Sequence, residues 1–132
     1  MARPASVHPT EFELEILKVL WESSPLTVRE IRDSMAEAGR DSAHTTVITI
    51  LNIMVDKKYL KKKKQGKGYL FWPVVSEENV STKMLGDIVN RVFSGSAKSL
   101  ILNLLDGDED IDEDELKELR KRINQKMKEQ KK

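Results

Sequence analysis

This chain contains no cysteine, which excludes disulfide bonds, cysteine metal sites and thiol catalysis. No apolar run approaches the roughly 18–20 residues needed to cross a bilayer, so no membrane association is expected. The first residues lack the hydrophobic core of a signal peptide, which makes the cytoplasm the expected location. Histidine is nearly absent too, with two in 132 residues. His8 lies in a loose arm and His44 at a helix start, and neither has an acid or nucleophile at supporting spacing. Gly66 and Gly68 sit in a hairpin turn rather than a strand-to-helix phosphate loop. No catalytic residue, cofactor or enzyme activity is expected.

Acidic residues are plentiful but badly spaced for a metal. The stretch 106–115, DGDEDIDEDE, carries eight acids and no base. Laying Asp106, Asp108 and Asp110 on a calcium-loop pattern puts Ile111 where glycine is required and Lys117 where a bidentate glutamate is required. The run is read as a solvated loop whose acids favour the next helix N-terminus. No metal site is expected.

What is present is charge segregation. The net charge is only +1, yet seven lysines fall between Lys57 and Lys67 with no acid among them. From 116 to 132, eight lysines or arginines face two glutamates. At 39% hydrophobic and 34% charged residues, the length suits one domain, or a small domain plus an accessory arm.

Local signals divide the chain into three parts. Residues 1–9, with two prolines, read as a flexible arm. Thr10 with Glu13 and Thr27 with Glu30 are capping boxes that open helices to about Glu22 and Ala38, the second ended by Gly39. A third helix runs from about Ala43 to Lys57, with Ala43, Val47, Ile50, Leu51 and Met54 on one side. Tyr59–Lys64 and Gly68–Val74 then read as two strands joined at Gln65-Gly66-Lys67. Three helices and a hairpin over residues 10–75 make a winged helix-turn-helix head. Residues 76–132 are helical, opening at Ser76, breaking at Ser94-Gly95 and restarting at Asp112 with Glu115. The fold class is thus mainly α with a small β-hairpin, a winged head plus a C-terminal helical dimerisation arm.

The third helix carries Thr45, Thr46, Thr49, Asn52, Ile53 and Asp56 on the side opposite its apolar stripe. Threonines are mediocre helix formers, and three on an exposed face serve no evident stability purpose. Short hydroxyl side chains do let a helix approach base edges closely, and Asn52 can pair with adenine. Lys61, Lys62, Lys63, Lys64 and Lys67 on the hairpin, with Arg40 before the helix, are candidate phosphate contacts. The expected partner is double-stranded DNA. Trp21, Phe71 and Trp72, set among apolar neighbours, read as packing residues.

The C-terminal segment has more apolar side chains than it can bury alone. Met84, Ile88, Val92, Phe93, Leu100, Ile101, Leu104, Leu105, Leu116, Leu119 and Ile123 are assigned to a dimer interface. Large exposed apolar patches are rare on monomers, so a second copy is the economical cover.

Several stretches together resemble the penicillinase repressor family of bacterial winged-helix regulators. They are Glu11–Arg32 (EFELEILKVLWESSPLTVREIR), Thr45–Asn52 (TTVITILN), the wing ending in Tyr69–Pro73, and Ser99–Leu105 (SLILNLL). The likeness spans about residues 9 to 125. It implies homodimers, a two-fold symmetric operator and repression of transcription. Relatives commonly carry Arg where Ile53 stands and usually carry Gly where Lys58 stands. Copper-responsive relatives carry a cysteine cluster that this chain lacks. In antibiotic-responsive relatives, induction involves cleavage between Asn and Phe, and the matching pair here is Asn103-Leu104. The inducing signal is then expected to arrive through a separate sensor or protease. The rival reading is a winged-helix module that binds protein and has no specific DNA affinity.

Overall fold

The computed structural model describes residues 8–107 and 110–131. The expected flexible arm lies outside them except for His8 and Pro9, as do Asp108 and Glu109 of the acidic run. Pro9 is buried, and His8 Nε2 lies 3.2 Å from Asp87 Oδ2. The elements run α1 (Glu11–Glu22), β1 (Leu26–Thr27), α2 (Val28–Glu37), α3 (His44–Asp56), β2 (Leu60–Gln65), β3 (Gly68–Pro73), α4 (Glu77–Val92), α5 (Ala97–Asp106) and α6 (Glu113–Gln130). This is a mainly α chain with a winged helix-turn-helix head and a helical C-terminal part.

Three of the helices open on reciprocal capping boxes. Thr10, Thr27 and Asp112 each accept a hydrogen bond from the backbone N–H three residues on, and Glu13, Glu30 and Glu115 each accept one from the cap residue's own N–H. The Glu30 carboxyl is held below its ordinary pKa by hydrogen bonds from Thr27. Ser76 and Ser96 cap α4 and α5 through their hydroxyls. In each case a short polar side chain meets N–H groups that a helix cannot satisfy internally.

The sheet has three strands where two are expected. Its order is β1-β3-β2, with Leu26 opposite Phe71 and Thr27 opposite Leu70. β1 is two residues long and merges into the α2 cap, so no alternating pattern announces it. In the hairpin, Leu60 pairs with Pro73, Lys62 with Phe71 and Lys64 with Tyr69. The turn is Gly66-Lys67, with Gly66 at φ +60, a backbone region that glycine enters without steric cost.

The head's core joins Ile16, Leu17 and Leu20 of α1, Ile31 and Met35 of α2, Val47, Leu51 and Met54 of α3, Leu60, Phe71 and Val80. Val47, Leu51 and Met54 are each 0% exposed. Burying one such side chain stabilises a fold by roughly 1.5–3 kcal/mol, so this seam fixes how α3 is rolled. Ala43, expected on the buried side, is exposed as the N-cap residue, because the chain leaves the helix there. Trp21 donates from Nε1 to the Val75 carbonyl at 2.9 Å, a packing role.

Internal contacts divide the chain between Asp87 and Ile88, later than the boundary expected after residue 75. The reason is that Val80 is buried in the head's core and Met84 packs against it. Beyond the division, Val92, Ile101, Leu104, Leu105, Leu119 and Ile123 are all more than two-fifths exposed in the single chain.

The end of α3 carries a strained residue. Lys58 sits at φ +68. Its N–H donates to the Val55 carbonyl at 3.0 Å, and the Tyr59 N–H donates to the Met54 carbonyl at 2.9 Å. These are the two bonds of a Schellman cap, with lysine in the left-handed position where glycine is usual. A side chain there costs roughly 1–2 kcal/mol, while glycine adds roughly 0.5–1 kcal/mol of chain entropy to lose. Lys58→Gly is therefore expected to stabilise the protein by about 0.5–1 kcal/mol in urea unfolding. A destabilised variant would show that Lys58 is not held in this conformation.

Candidate nucleic-acid interface

The buried seam of α3 leaves one face bare. Thr45, Thr46, Thr49, Asn52, Ile53 and Asp56 are all exposed. The Thr49 hydroxyl donates to the Thr45 carbonyl at 2.8 Å, which turns its oxygen lone pairs outward as acceptors. Among the described residues, the Thr45 and Thr46 hydroxyls have no hydrogen-bond partner. Ala43 makes no side-chain cap to α3, unlike the residues opening α1, α2, α5 and α6. The first N–H groups of α3 thus receive no acceptor from the cap side chain, and an anion is favoured at such a helix end. Upstream, Arg32 donates from Nε to the Ser42 carbonyl at 2.7 Å and fixes the turn between α2 and α3.

The hairpin leans on that same helix. Leu60 and Phe71 share a face of the sheet with Lys62, Lys64 and Tyr69, and both apolar residues are buried. Lys62 therefore points toward α3 and donates to Asn52 Oδ1 at 3.0 Å, while lying 4.6 Å from the centre of the Tyr69 ring. Lys61 and Lys63 take the opposite face. All four residues of the run Lys61–Lys64 are exposed, as is Lys67, and β2 is an edge strand of the sheet. Between α3 and the hairpin is an open cleft of about 480 Å³ lined by Arg29, His44, Ile48, Asn52, Lys62 and Lys67, among others. Arg29 and His44 went unmarked as contacts in the sequence, since neither belongs to a local basic run. Arg29 comes from the first turn of α2, and only the fold brings it here.

Two cations are placed differently. Arg40, expected to reach phosphate, is half-buried, ion-paired with Glu15 and 4.8 Å from the Phe12 ring. A second carboxylate, Glu11, lies 4.0 Å away. Arg40 thus ties the α2–α3 turn to α1. Lys57, from the lysine-rich block, donates to both carboxylate oxygens of Glu13 at 3.1 and 2.9 Å. Glu13 is 3% exposed, and its Oε1 also accepts from the Thr10 N–H at 2.9 Å. The adjoining Tyr59 phenol is pushed above its ordinary pKa by burial, partly offset by the Lys57 charge.

The residues assigned to the arm lie elsewhere in the chain. Asn103 and Leu104 are both exposed and fall inside α5. Met84 is half-buried against the head, and Phe93 and Leu100 are half-buried. Among the described residues there is no group of three or more metal-binding side chains, and no helix is long and apolar enough to cross a membrane.

The profile of the family described as penicillinase repressor matches residues 9–125. Among curated proteins, the chain is 27% identical over 114 residues to the methicillin resistance regulatory protein MecI of Mammaliicoccus sciuri, covering 86% of this chain and 91% of that one. It is 26% identical over 114 residues to MecI of Staphylococcus aureus strain N315, with the same coverage. A penicillinase repressor of Bacillus licheniformis is 27% identical over 100 residues, covering 76% of this chain and 77% of that one.

The Glu13–Lys57 pair makes a prediction about which cations are structural. Lys57→Met leaves a buried carboxylate with only its capping bond, and unfolding measurements are expected to show a loss of about 2–3 kcal/mol. Adding Glu13→Gln restores most of that loss. Equal losses in the single and double variants would mean the pair is not coupled.

Proposed function

The chain belongs to the penicillinase repressor family, and on that premise we propose that it is a homodimeric DNA-binding repressor that recognises a two-fold symmetric operator. The observation that carries this reading is the bare threonine face of α3, opposite a fully buried seam and beside an exposed lysine wing. Thr45, Thr46 and Thr49 read base edges in a major groove. Asn52 adds a base contact or holds Lys62 in place. Lys61, Lys63, Lys64 and Lys67 neutralise the flanking phosphates, a contact that positions the protein and carries no sequence information. Occupancy of a promoter then blocks transcription without any chemistry.

The exposed apolar residues beyond Asp87 support the two-fold arrangement. Ile88, Val92, Ile101, Leu105, Leu119 and Ile123 meet their counterparts in a second copy, and that pairing sets the half-site spacing. Derepression comes from a separate sensor or protease. Cleavage at Asn103-Leu104 requires α5 to open first, since proteases favour exposed loops over helices.

Selection of bound duplexes from a random library by the full chain tests this reading. The expected product is an inverted repeat, and sedimentation at micromolar concentration is expected to give a dimer. If the dimer neutralises about 6–10 phosphates, affinity falls by roughly 10³–10⁵ between 50 and 200 mM salt. Thr46→Ala and Thr49→Ala each weaken the selected site by about 1 kcal/mol, roughly fivefold, and leave binding to unselected duplex unchanged. No DNA affinity at low salt, or affinity blind to sequence, would favour a protein-binding module instead.

A further inference from the structure

The threonine face of α3 has an apolar member that hydrogen bonding does not explain. Ile53 is 43% exposed, the one large hydrophobic side chain of α3 left so open among the described residues. Single exposed hydrophobic residues are common on protein surfaces, so exposure alone says little. Its position says more. At 3.6 residues per turn, positions 46 and 53 differ by only about 20° around the helix axis, and 49 lies about 40° from 53. Thr46, Thr49 and Ile53 therefore form one outward stripe, about 10 Å long at about 1.5 Å per residue. That length matches roughly three base steps of about 3.4 Å each.

In the major groove the base edges offer hydrogen-bond donors and acceptors, with one apolar group, the thymine C5-methyl. A branched aliphatic side chain gains most there from that methyl, whereas facing a polar edge would desolvate that edge without replacing its bond. We infer that Ile53 is a specificity-determining residue that selects thymine by contact with its methyl group, in line with the bases read by Thr46 and Thr49. This rests on α3 being the reading helix. It adds that α3 lies lengthwise in the groove, because an end-on helix would keep Ile53 out of reach.

The probe is the duplex selected by the wild-type chain, resynthesised with deoxyuridine replacing each thymine in turn. Deoxyuridine keeps every hydrogen bond and removes only the methyl. At one thymine per half-site the wild-type protein is expected to lose about fourfold in affinity, the equivalent of about 0.8 kcal/mol for one buried methyl-sized group. Ile53→Ala is expected to bind the parent duplex correspondingly more weakly and to show no further loss on that uridine duplex. Its thermal unfolding should match wild type, since the side chain lies outside the core. A flat uridine scan, or an Ile53→Ala protein with undiminished uridine sensitivity, overturns the assignment while leaving the repressor reading intact. A chain that selects no sequence at all overturns both.

Discussion

One helix has to be gripped firmly on one side and left open to solvent on the other. In α3 this is achieved by Val47, Leu51 and Met54, which lie at helical spacing and are withdrawn completely from water. Rolling the helix would expose these side chains and bury threonine hydroxyls without partners, so both penalties oppose the same motion. The roll angle of α3 is therefore set from behind. Any ligand that meets Thr46 and Thr49 meets them on a surface already oriented, with little ordering left to do at the moment of binding.

The positive charge around α3 is sorted by the same framework. Lys57 closes onto Glu13 and Arg40 onto Glu15, so two cations near the helix ends tie α3 and its preceding turn to α1. Lys62 bridges to Asn52 and couples the wing to the helix. Open to solvent are Lys58 after α3, Lys61–Lys64 and Lys67 on the hairpin, and Arg29 at the cleft. An edge strand full of lysine also resists pairing with another strand, which suits a hairpin that projects into solvent. Hence the charge that would attract a polyanion is concentrated on the hairpin, where among the described residues no salt bridge engages Lys61–Lys64 or Lys67, and the near-neutral total is of little consequence locally.

Much of this was legible in the chain because the signals are short-range. Capping boxes span four residues, and a buried helix face repeats within two turns, so α1, α2 and α3 could be placed from local pattern. The split of α3 into apolar and hydroxyl faces followed from the same periodicity. What stayed hidden needs partners far apart in sequence. β1 pairs with a strand more than forty residues away, Glu13 meets Lys57 across 44 positions, and Arg29 reaches the cleft only once α2 is packed. Arg40 looked like a free turn cation, and the carboxylates that hold it lie on α1, a helix that nothing local to Arg40 announces. The residues of the arm are a different case: their apolar spacing marks them plainly, yet in the single chain Val92, Ile101 and Ile123 stay more than half exposed.

If the outward face of α3 reads sequence while the wing senses charge, the two surfaces answer differently to different duplexes. The most direct measurement is the response of backbone amide resonances on titration with the selected duplex and, separately, with an unrelated duplex of equal length. Wing amides from Lys61 to Lys67 are expected to respond to both, whereas Thr45, Thr46, Thr49 and Asn52 are expected to respond strongly only to the selected duplex. Equal responses of α3 to both duplexes, or an α3 unperturbed by the selected one, would contradict it.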